Sequence, residues 1–184
     1  MTHRTRLDLD DAGVAGTRWR AVRSSDNAAR SLADRHYNRV GIGAPTVGPP
    51  GRRLTLVTVD ERALWQTHYT DHPLDGLEVL RCSTFRNEGA GLSSELILEA
   101  MLVTLHLWDE RPAEGWLTFV DRSKVSSTNP GYCFLAAGWT KDRTFVAGAW
   151  ARHLIRLRAP LELAKESAPM SPARVTTSSA QHPT

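Results

Sequence analysis

The sequence has little of what would assign it to a special class of protein. It contains only two cysteines, Cys82 and Cys133, with no CxxC pair and no spacing typical of a zinc site. Both fall in predicted apolar elements, so we expect buried thiols in a reducing cytoplasm rather than a disulfide. No apolar run approaches the roughly 20 residues of a membrane helix, and the charged start Met1–Asp11 does not resemble a signal peptide. These absences predict a cytoplasmic protein with no membrane partner.

Length and composition predict one folded domain. The chain has 184 residues, of which 41% are hydrophobic and 23% charged, which is ordinary for a globular domain with a sizeable core. We expect residues 1–16 to form a loose tail and residues 17–158 to form the domain. The Pro-, Ser-, Ala- and Thr-rich stretch 159–184 is predicted to be a disordered tail.

Lysine and glutamate are absent from the segment Thr17–Arg53, which holds eight arginines against Asp26 and Asp34. Planar guanidinium groups bind oxyanions in a bidentate manner, so this segment is a candidate surface for nucleic-acid phosphates. A solvated arginine-rich face explains the same composition equally well. The residues that we assign to a nucleic-acid surface are Arg35, Arg39, Arg52 and Arg53.

The first third of the chain predicts a strand, a helix, a long loop and a hairpin. Arg18–Ser24 alternates as a strand does, and Ser25 or Asp26 can cap a helix that runs to about Tyr37. The loop Asn38–Gly51 is rich in glycine and proline and long enough to be a binding loop. Two β-rich runs form the hairpin, Arg52–Val59 and Ala63–Tyr69.

The central stretch predicts a strand, a glycine-bearing turn and a helix. Leu77–Phe85 is rich in strand-forming residues, and the glycines of the turn Arg86–Gly91 can expose backbone N–H groups. Leu92–Trp108 has apolar residues at helical spacing, with Ser93 or Ser94 as the cap. A helix start behind such a turn favours an anion, most naturally a pyrophosphate.

The last third predicts a strand, a short helix and a strand pair. Gly115–Asp121 is a short apolar strand that ends in an acid. Asn129–Trp139 indicates a helix, with Pro130 in its first turn and Gly138 at its C-terminal end. The last two strands are predicted at Thr144–Ala147 and Ala149–Arg158.

This order of elements and two motifs resemble the GNAT (GCN5-related N-acetyltransferase) superfamily. Arg86, Gly89 and Gly91 match its R-x-x-G-x-G turn, and Asn129–Trp139 matches its N-P…G-[FW] helix. The resemblance implies an α/β fold with a single central mixed, mostly antiparallel sheet, a splayed strand pair and flanking helices. It also implies an acetyl-CoA or related acyl-CoA donor between the splayed strands, although the glycines could simply form a tight turn. The residues implied to bind the donor are Arg86, Asn87, Gly89, Ala90 and Gly91. Phe134 stands where many members have a general-acid tyrosine.

A narrower set of motifs resembles the phage Mom family, whose members are GNAT-like enzymes that add a methylcarbamoyl-type group to adenine N6 in DNA. The matching catalytic residues are His36, Tyr37, Asp121 and Tyr132, together with Arg86. Iron has been proposed for that family, which would make His36, Tyr37 and Asp121 metal ligands. The same side chains could instead act as general base and acid. A bond from His36 to the backbone near the helix end and a turn cap by Asp121 are the purely structural alternatives.

The resemblance gives the leading functional expectation, a Mom-like DNA-modifying transferase with an exocyclic amine, adenine N6, as acceptor. A duplex base must leave the stack to be modified, so aromatic walls are expected. The candidates for these walls are Tyr37, Trp65, Tyr69 and Trp139, although each of them alone fits the core or its edge better. An acyl-CoA-dependent N-acetyltransferase for a small amine, peptide or protein is the second expectation, and a non-catalytic binding module is the third. The last strand pair is a candidate contact for a homodimer.

Overall fold

A computed structural model describes residues 16–69, 77–144 and 152–166. These residues form an α/β structure around a single seven-stranded sheet with the strand order β1-β2-β3-β4-β5-β7-β6. Every neighbouring pair is antiparallel except β4–β5, so the predicted mixed, mostly antiparallel sheet is confirmed. The elements are β1 (Trp19–Val22), α1 (Asn27–Asp34), β2 (Arg52–Thr58), β3 (Ala63–Tyr69), β4 (Leu80–Asn87), α2 (Ser93–Leu107), β5 (Trp116–Asp121), α3 (Tyr132–Ala136), β6 (Thr140–Lys141), β7 (Leu154–Ala159) and α4 (Leu163–Glu166).

The parallel pair β4–β5 is joined over only part of its length. Its register runs from Leu80–Trp116 to Cys82–Thr118 and stops there. Beyond that point β4 stays paired with β3 as far as Asn87, and β5 stays paired with β7 as far as Asp121. The outer neighbours therefore hold the two strands in place while the strands themselves leave an opening.

The sheet has a core on each face because successive strand residues point to opposite sides. On one face, α1 packs through Ala29 and Leu32 against Val57 and Leu64. On the other, α2 and α3 cover a larger apolar cluster that includes buried tryptophans. Trp65 and Trp139, named as candidate walls of a base pocket, are 0% and 2% exposed and belong to this second core, so they are core residues and not pocket walls, as the alternative for each predicted.

The segment after α1 is built around a buried arginine. Asp26 caps α1 by accepting from the N–H of Ala29, and the helix ends at Asp34, three residues before the predicted end at Tyr37. Asp34 turns the chain because its carboxylate accepts from Arg39 Nε at 2.8 Å and from the N–H of Gly43 at 3.0 Å. Arg39 also donates to the carbonyls of Thr46 and Ala44 and is 8% exposed. These bonds shape the predicted loop Asn38–Gly51.

The start of α2 differs from the expectation that Ser93 or Ser94 caps it. Leu92 occupies the cap position with an extended backbone and no side-chain bond. Ser93 Oγ instead accepts from Asn87 Nδ2 at 2.8 Å. The serines are inside the first turn, where their side chains cannot reach the N–H groups of that turn.

The short helix α3 is smaller than the predicted helix Asn129–Trp139. Gly131 precedes it with φ of +82°, so Pro130 lies before the helix rather than in its first turn. Gly138 follows the helix with φ of +88°, which confirms the predicted C-terminal glycine.

The end of the fold lies beyond the predicted boundary at Arg158. β6 pairs with β7 through Thr140–Arg158 and Lys141–Leu157, so the final strand pair starts earlier than expected; residues 145–147 of the predicted strand lie outside the described residues. The predicted tail is wrong for residues 159–166, because Ala159 ends β7, α4 follows and Ala164 is fully buried. Residues 1–15 and 167–184, the rest of both predicted tails, are outside the described part.

Two features expected from composition can be compared directly with the structure. Cys82 and Cys133 are both free thiols, as predicted. Among the described residues no helix has the length and apolar character needed to cross a membrane.

Candidate active site

The opening between β4 and β5 contains a cavity of about 220 Å³. Its walls come from the segment after α1, from both strands and from α3. The lining residues include His36, Tyr37, Ser83, Phe85, Phe119 and Phe134. Two of the four residues predicted to be catalytic therefore line one cleft.

Two hydrogen bonds tie the His36–Tyr37 pair to β4. Arg86 Nη1 donates to the carbonyl of Arg35 at 2.5 Å, directly before the pair. Asn38 Nδ2 donates to the carbonyl of Ser83 at 2.8 Å, directly after it. Arg86, expected to bind donor phosphates, thus acts in this structure as a brace for the cleft. Its Nε also contacts Glu88 Oε1 at 2.5 Å.

His36 is held in one ring orientation. Its ring stacks on that of Tyr37 with centroids 4.4 Å apart, and Nδ1 lies 2.5 Å from Asn38 Oδ1. Because Asn38 Nδ2 is used on Ser83, its oxygen faces His36 Nδ1, and the backbone N–H of Asn38 also approaches Nδ1 at 3.3 Å. Burial lowers the pKa of His36, and the nearby charge of Arg86 lowers it further, against opposing bonds to Asn38 and the Phe85 backbone. The ring is therefore neutral at neutral pH, as a general base must be.

Tyr37 joins the cleft to the end of β5. Its hydroxyl oxygen accepts from the N–H of Asp121 at 3.4 Å, and its side chain is 38% exposed. Burial is the main cause that raises the pKa of the phenol, with the Asp121 charge adding to it. Tyr37 therefore stays protonated and has an O–H available to donate.

The Asp121 carboxylate is engaged at the end of β5. Oδ1 accepts from the N–H of Ser123 at 2.9 Å and from its hydroxyl at 2.5 Å, and Oδ2 lies 3.5 Å from His153 Nε2. Partial burial opposes ionisation, but the Ser123 bonds and the nearby positive charges outweigh it and lower the pKa of Asp121. Its contact with Tyr37 is through the backbone, so the carboxylate shapes the turn.

The structure does not bring Tyr132 into the cleft. Gly131 and Cys133 line the cavity, but the side chain of Tyr132 between them is 63% exposed.

The predicted ligand set His36, Tyr37 and Asp121 does not fit a metal ion. Both Asp121 oxygens and His36 Nδ1 have protein partners. The described residues contain no group of three or more His, Cys, Asp and Glu placed to hold a metal.

The glycine turn after β4 is partly closed by Asn87. Its Oδ1 accepts from the N–H groups of Gly89 and Ala90 at 3.0 and 2.9 Å, and its Nδ2 donates to the carbonyl of Gly91. These N–H groups, predicted to bind donor phosphates, are already satisfied. The first turn of α2, which has no side-chain cap, offers its N–H groups instead.

Two arginines that sequence reasoning did not assign to this turn lie against its glycines. A Cβ on Gly89 would stand 2.6 Å from Arg62 Nη2, and one on Gly91 would stand 2.6 Å from Arg18 Nη1. Arg62 Nε also donates to the carbonyl of Glu88 at 3.1 Å. Ala63 at the start of β3 pairs with Asn87 at the end of β4, so Arg62 lies beside the turn that follows β4. The register of the β3–β4 pair could therefore have indicated Arg62.

The predicted nucleic-acid arginines do not form one open surface. Arg35 binds Glu88, and Arg39 is buried in its loop. Arg52 pairs with Glu110 and stacks at 5.4 Å over Trp108, which follows α2. Arg53 donates to the carbonyl of Pro49 at 2.9 Å. These groups are spread over both faces of the sheet.

A carboxylate clamp joins the end of α1 to the turn after β4. Glu88 accepts from Arg35 Nε and Nη2, both at 2.8 Å, and from Arg86 Nε at 2.5 Å. The bonds from Arg35 and Arg86, in that order, lower the pKa of Glu88 to about 2. The clamp fixes the segment that delivers His36.

Glu88→Gln should therefore show a stability loss that depends on pH. The pKa of Glu88 is lowered by folding, so its contribution is full above the unfolded value of 4.5 and fades as pH falls toward about 2. Urea midpoints of wild type and Glu88→Gln should differ at pH 7 and converge in acid. Glu78→Gln, at an exposed carboxylate, is the control. A pH-independent difference would contradict the clamp.

Comparisons with known proteins give no relative for this chain. No protein-family model matches it, and neither a curated protein nor a solved structure matches it.

Proposed function

We propose that this chain is a GNAT-like group transferase of the Mom type, which transfers a small acyl or carbamoyl-type group to an exocyclic amine, adenine N6 in DNA. The observation that carries this proposal is the opening of β4 from β5 beyond Cys82 and Thr118, with His36 and Tyr37 in the opening. A neutral imidazole and a protonated phenol side by side are what proton transfer to and from a reacting amine requires.

The residues around the glycine turn fit the phosphates of an acyl-CoA donor. The uncapped first turn of α2 offers N–H groups and a positive dipole end. Arg62 approaches Gly89 so closely that a Cβ there would collide with it. Arg18 lies equally close to Gly91 but pairs with Glu95 and Glu99. Such a donor would supply an activated carbonyl carbon. The 220 Å³ cavity is smaller than the roughly 300–1,000 Å³ of sites for drug-sized ligands, which suits a small transferred group.

His36 and Tyr37 can divide the proton transfers between them. The lone pair of adenine N6 is delocalised into the ring, so its attack on a carbonyl carbon needs a base. The neutral imidazole of His36 would take the amine proton as the new C–N bond forms. Tyr37 would donate its O–H to the leaving atom as the old bond breaks.

Mass spectrometry of nucleosides from cells that express the protein tests this proposal. Wild type should give an adenine nucleoside of raised mass. Asp121→Ala, which loosens the turn that positions the N–H against Tyr37, should reduce it by about tenfold or more. The control variant is His106→Gln on the exposed end of α2. Unchanged nucleosides with verified expression would contradict DNA modification.

A second function, acyl transfer to a small amine, peptide or protein, is favoured by one observation. The arginines assigned to nucleic acid are spread over both faces and engaged within the fold. Acetyl-CoA should then raise the melting temperature and be consumed with an amine but not with DNA. Consumption of acetyl-CoA is not expected if the chain is only a binding module.

A further inference from the structure

A second cavity, of about 330 Å³, adjoins the cleft. Asn38, Ser83 and Thr84 line both cavities, so a group bound in one lies next to a group bound in the other. Arg81 and Arg39 also line the second cavity, and none of its described lining residues is Asp or Glu. Arg39 is paired with Asp34, so Arg81 supplies the positive charge that would suit this cavity to an anion.

Arg81 differs from the described arginines that pair with acidic side chains. Its Nε is buried and has no hydrogen-bond partner among the described residues. Its guanidinium carbon lies 5.2 Å from the ring centroid of Phe119, which lines the reaction cleft. By contrast, acidic side chains pair with Arg18, Arg20, Arg35, Arg39, Arg52, Arg86, Arg156 and Arg158.

A buried Nε–H without an acceptor is unfavourable for the free protein. Burial lowers the pKa of Arg81, against an opposing charge effect from Cys82. A buried donor without an acceptor destabilises a fold unless a ligand supplies one. A phosphate oxyanion would do so, since it accepts two parallel bonds from one guanidinium.

We propose that Arg81 anchors an oxyanion subsite that binds a phosphate group of the acceptor nucleotide beside the cleft containing His36. This inference rests on the proposed function and adds to it how the acceptor is held. Because Asn38 lines both cavities, a phosphate in the second cavity would lie next to the reacting group in the first. Recognition of the phosphate would orient the nucleotide before its amine reacts.

Binding of deoxyadenosine 5′-monophosphate and of deoxyadenosine to purified protein tests the subsite. Wild type should bind the nucleotide about tenfold or more tightly than the nucleoside, the worth of one charged hydrogen-bonded contact. Arg81→Met, which keeps the length and the contact with Phe119, should bind both equally. Arg23→Gln, at an exposed arginine, should behave as wild type.

Thermal melting gives a readout that a structural arginine would not produce. In phosphate-free buffer, Arg81→Met should melt at a higher temperature than wild type, because it removes a buried N–H that has no acceptor. Inorganic phosphate should raise the melting temperature of wild type but not of Arg81→Met. Arg81→Lys, which keeps the charge but not the planar fork, should give an intermediate preference for the nucleotide.

The subsite would be contradicted if wild type did not bind the nucleotide more tightly than the nucleoside, or if Arg81→Met kept that preference. Equal losses of nucleotide affinity in Arg81→Met and Arg23→Gln would contradict it too. Binding of inorganic phosphate without tighter binding of the nucleotide would also contradict it, since the phosphate would not belong to the acceptor.

If DNA is modified equally by wild type and Arg81→Met, the subsite fails and the proposed function stands. If Arg81 selects the nucleotide but cellular DNA is unmodified, the proposed function fails alone.

Discussion

His36→Gln is expected to reduce group transfer by about 100-fold or more while the fold is retained. General-base catalysis contributes about 10²–10⁴-fold, and His36 is the imidazole of the cleft, in contact with Asn38 and Tyr37. Glutamine keeps a polar side chain but cannot take a proton. The modified nucleoside formed per amount of purified protein, with a DNA substrate and donor, measures the effect.

The pH dependence of the same reaction should show the lowered pKa of His36. Because burial lowers that pKa from its usual value of 6.5, the base remains unprotonated at neutral pH. The rate should be constant near pH 7 and fall in acid, with a midpoint below 6.5. Asn38→Ala removes the bond that opposes this lowering, so it should move the midpoint further into acid.

Two further variants separate catalysis from structure at this site. Tyr37→Phe keeps the ring stacked on His36 but removes the O–H, so it should slow transfer with little change in donor binding. His106→Gln, on the exposed surface of α2, should leave the rate unchanged. Full activity of His36→Gln, or an equal loss of activity in His106→Gln, would contradict general-base catalysis by His36. His36 would then be a structural residue near the end of α1.

The parts of the fold that follow from local pattern could be predicted from sequence. Alternation identified the hairpin β2–β3, and helical spacing identified α2. The mixed sheet was implied by the resemblance of the element order and motifs to the GNAT superfamily. The end of α1 could not be predicted, because it is set by Asp34 binding Arg39 and Gly43 across the loop. That contact has no signature in a local window.

The candidate site shows the same limit more strongly. His36, Tyr37 and Asp121 could be found as chemically capable residues, and the fold places the first two together. Whether Asn87 leaves the turn N–H groups free depends on one rotamer, and in the structure it occupies them. Likewise, an arginine motif does not reveal whether Arg86 faces a ligand or braces a carbonyl. Such partners depend on tertiary contacts rather than on residue type.

Gly115→Ala is expected to give the largest loss of stability of any variant considered. Gly115 has φ of +69°, and a Cβ there would stand 2.4 Å from the carbonyl oxygen of Ala159 and 3.2 Å from Pro160 Cα. Both are backbone atoms that cannot rotate away. The positive φ costs about 1–2 kcal/mol, and the overlap adds about 1–3 kcal/mol. The melting temperature should therefore fall by about 5–15 °C.

Gly41→Ala is the matched control, because Gly41 has φ of +89° and a Cβ added there would meet nothing within 4 Å. It should show only the backbone cost, a fall of about 2–6 °C. Equal falls in the melting temperature of both variants would mean that the backbone of β7 moves away at Ala159 without cost.

The difference between the two variants matters for the site as well as for the fold. The carbonyl of Gly115 accepts from the N–H of Leu80 at 2.9 Å, at the closed end of the β4–β5 pair. Displacing it should widen the opening, so transfer by the folded Gly115→Ala protein should drop while Gly41→Ala remains active.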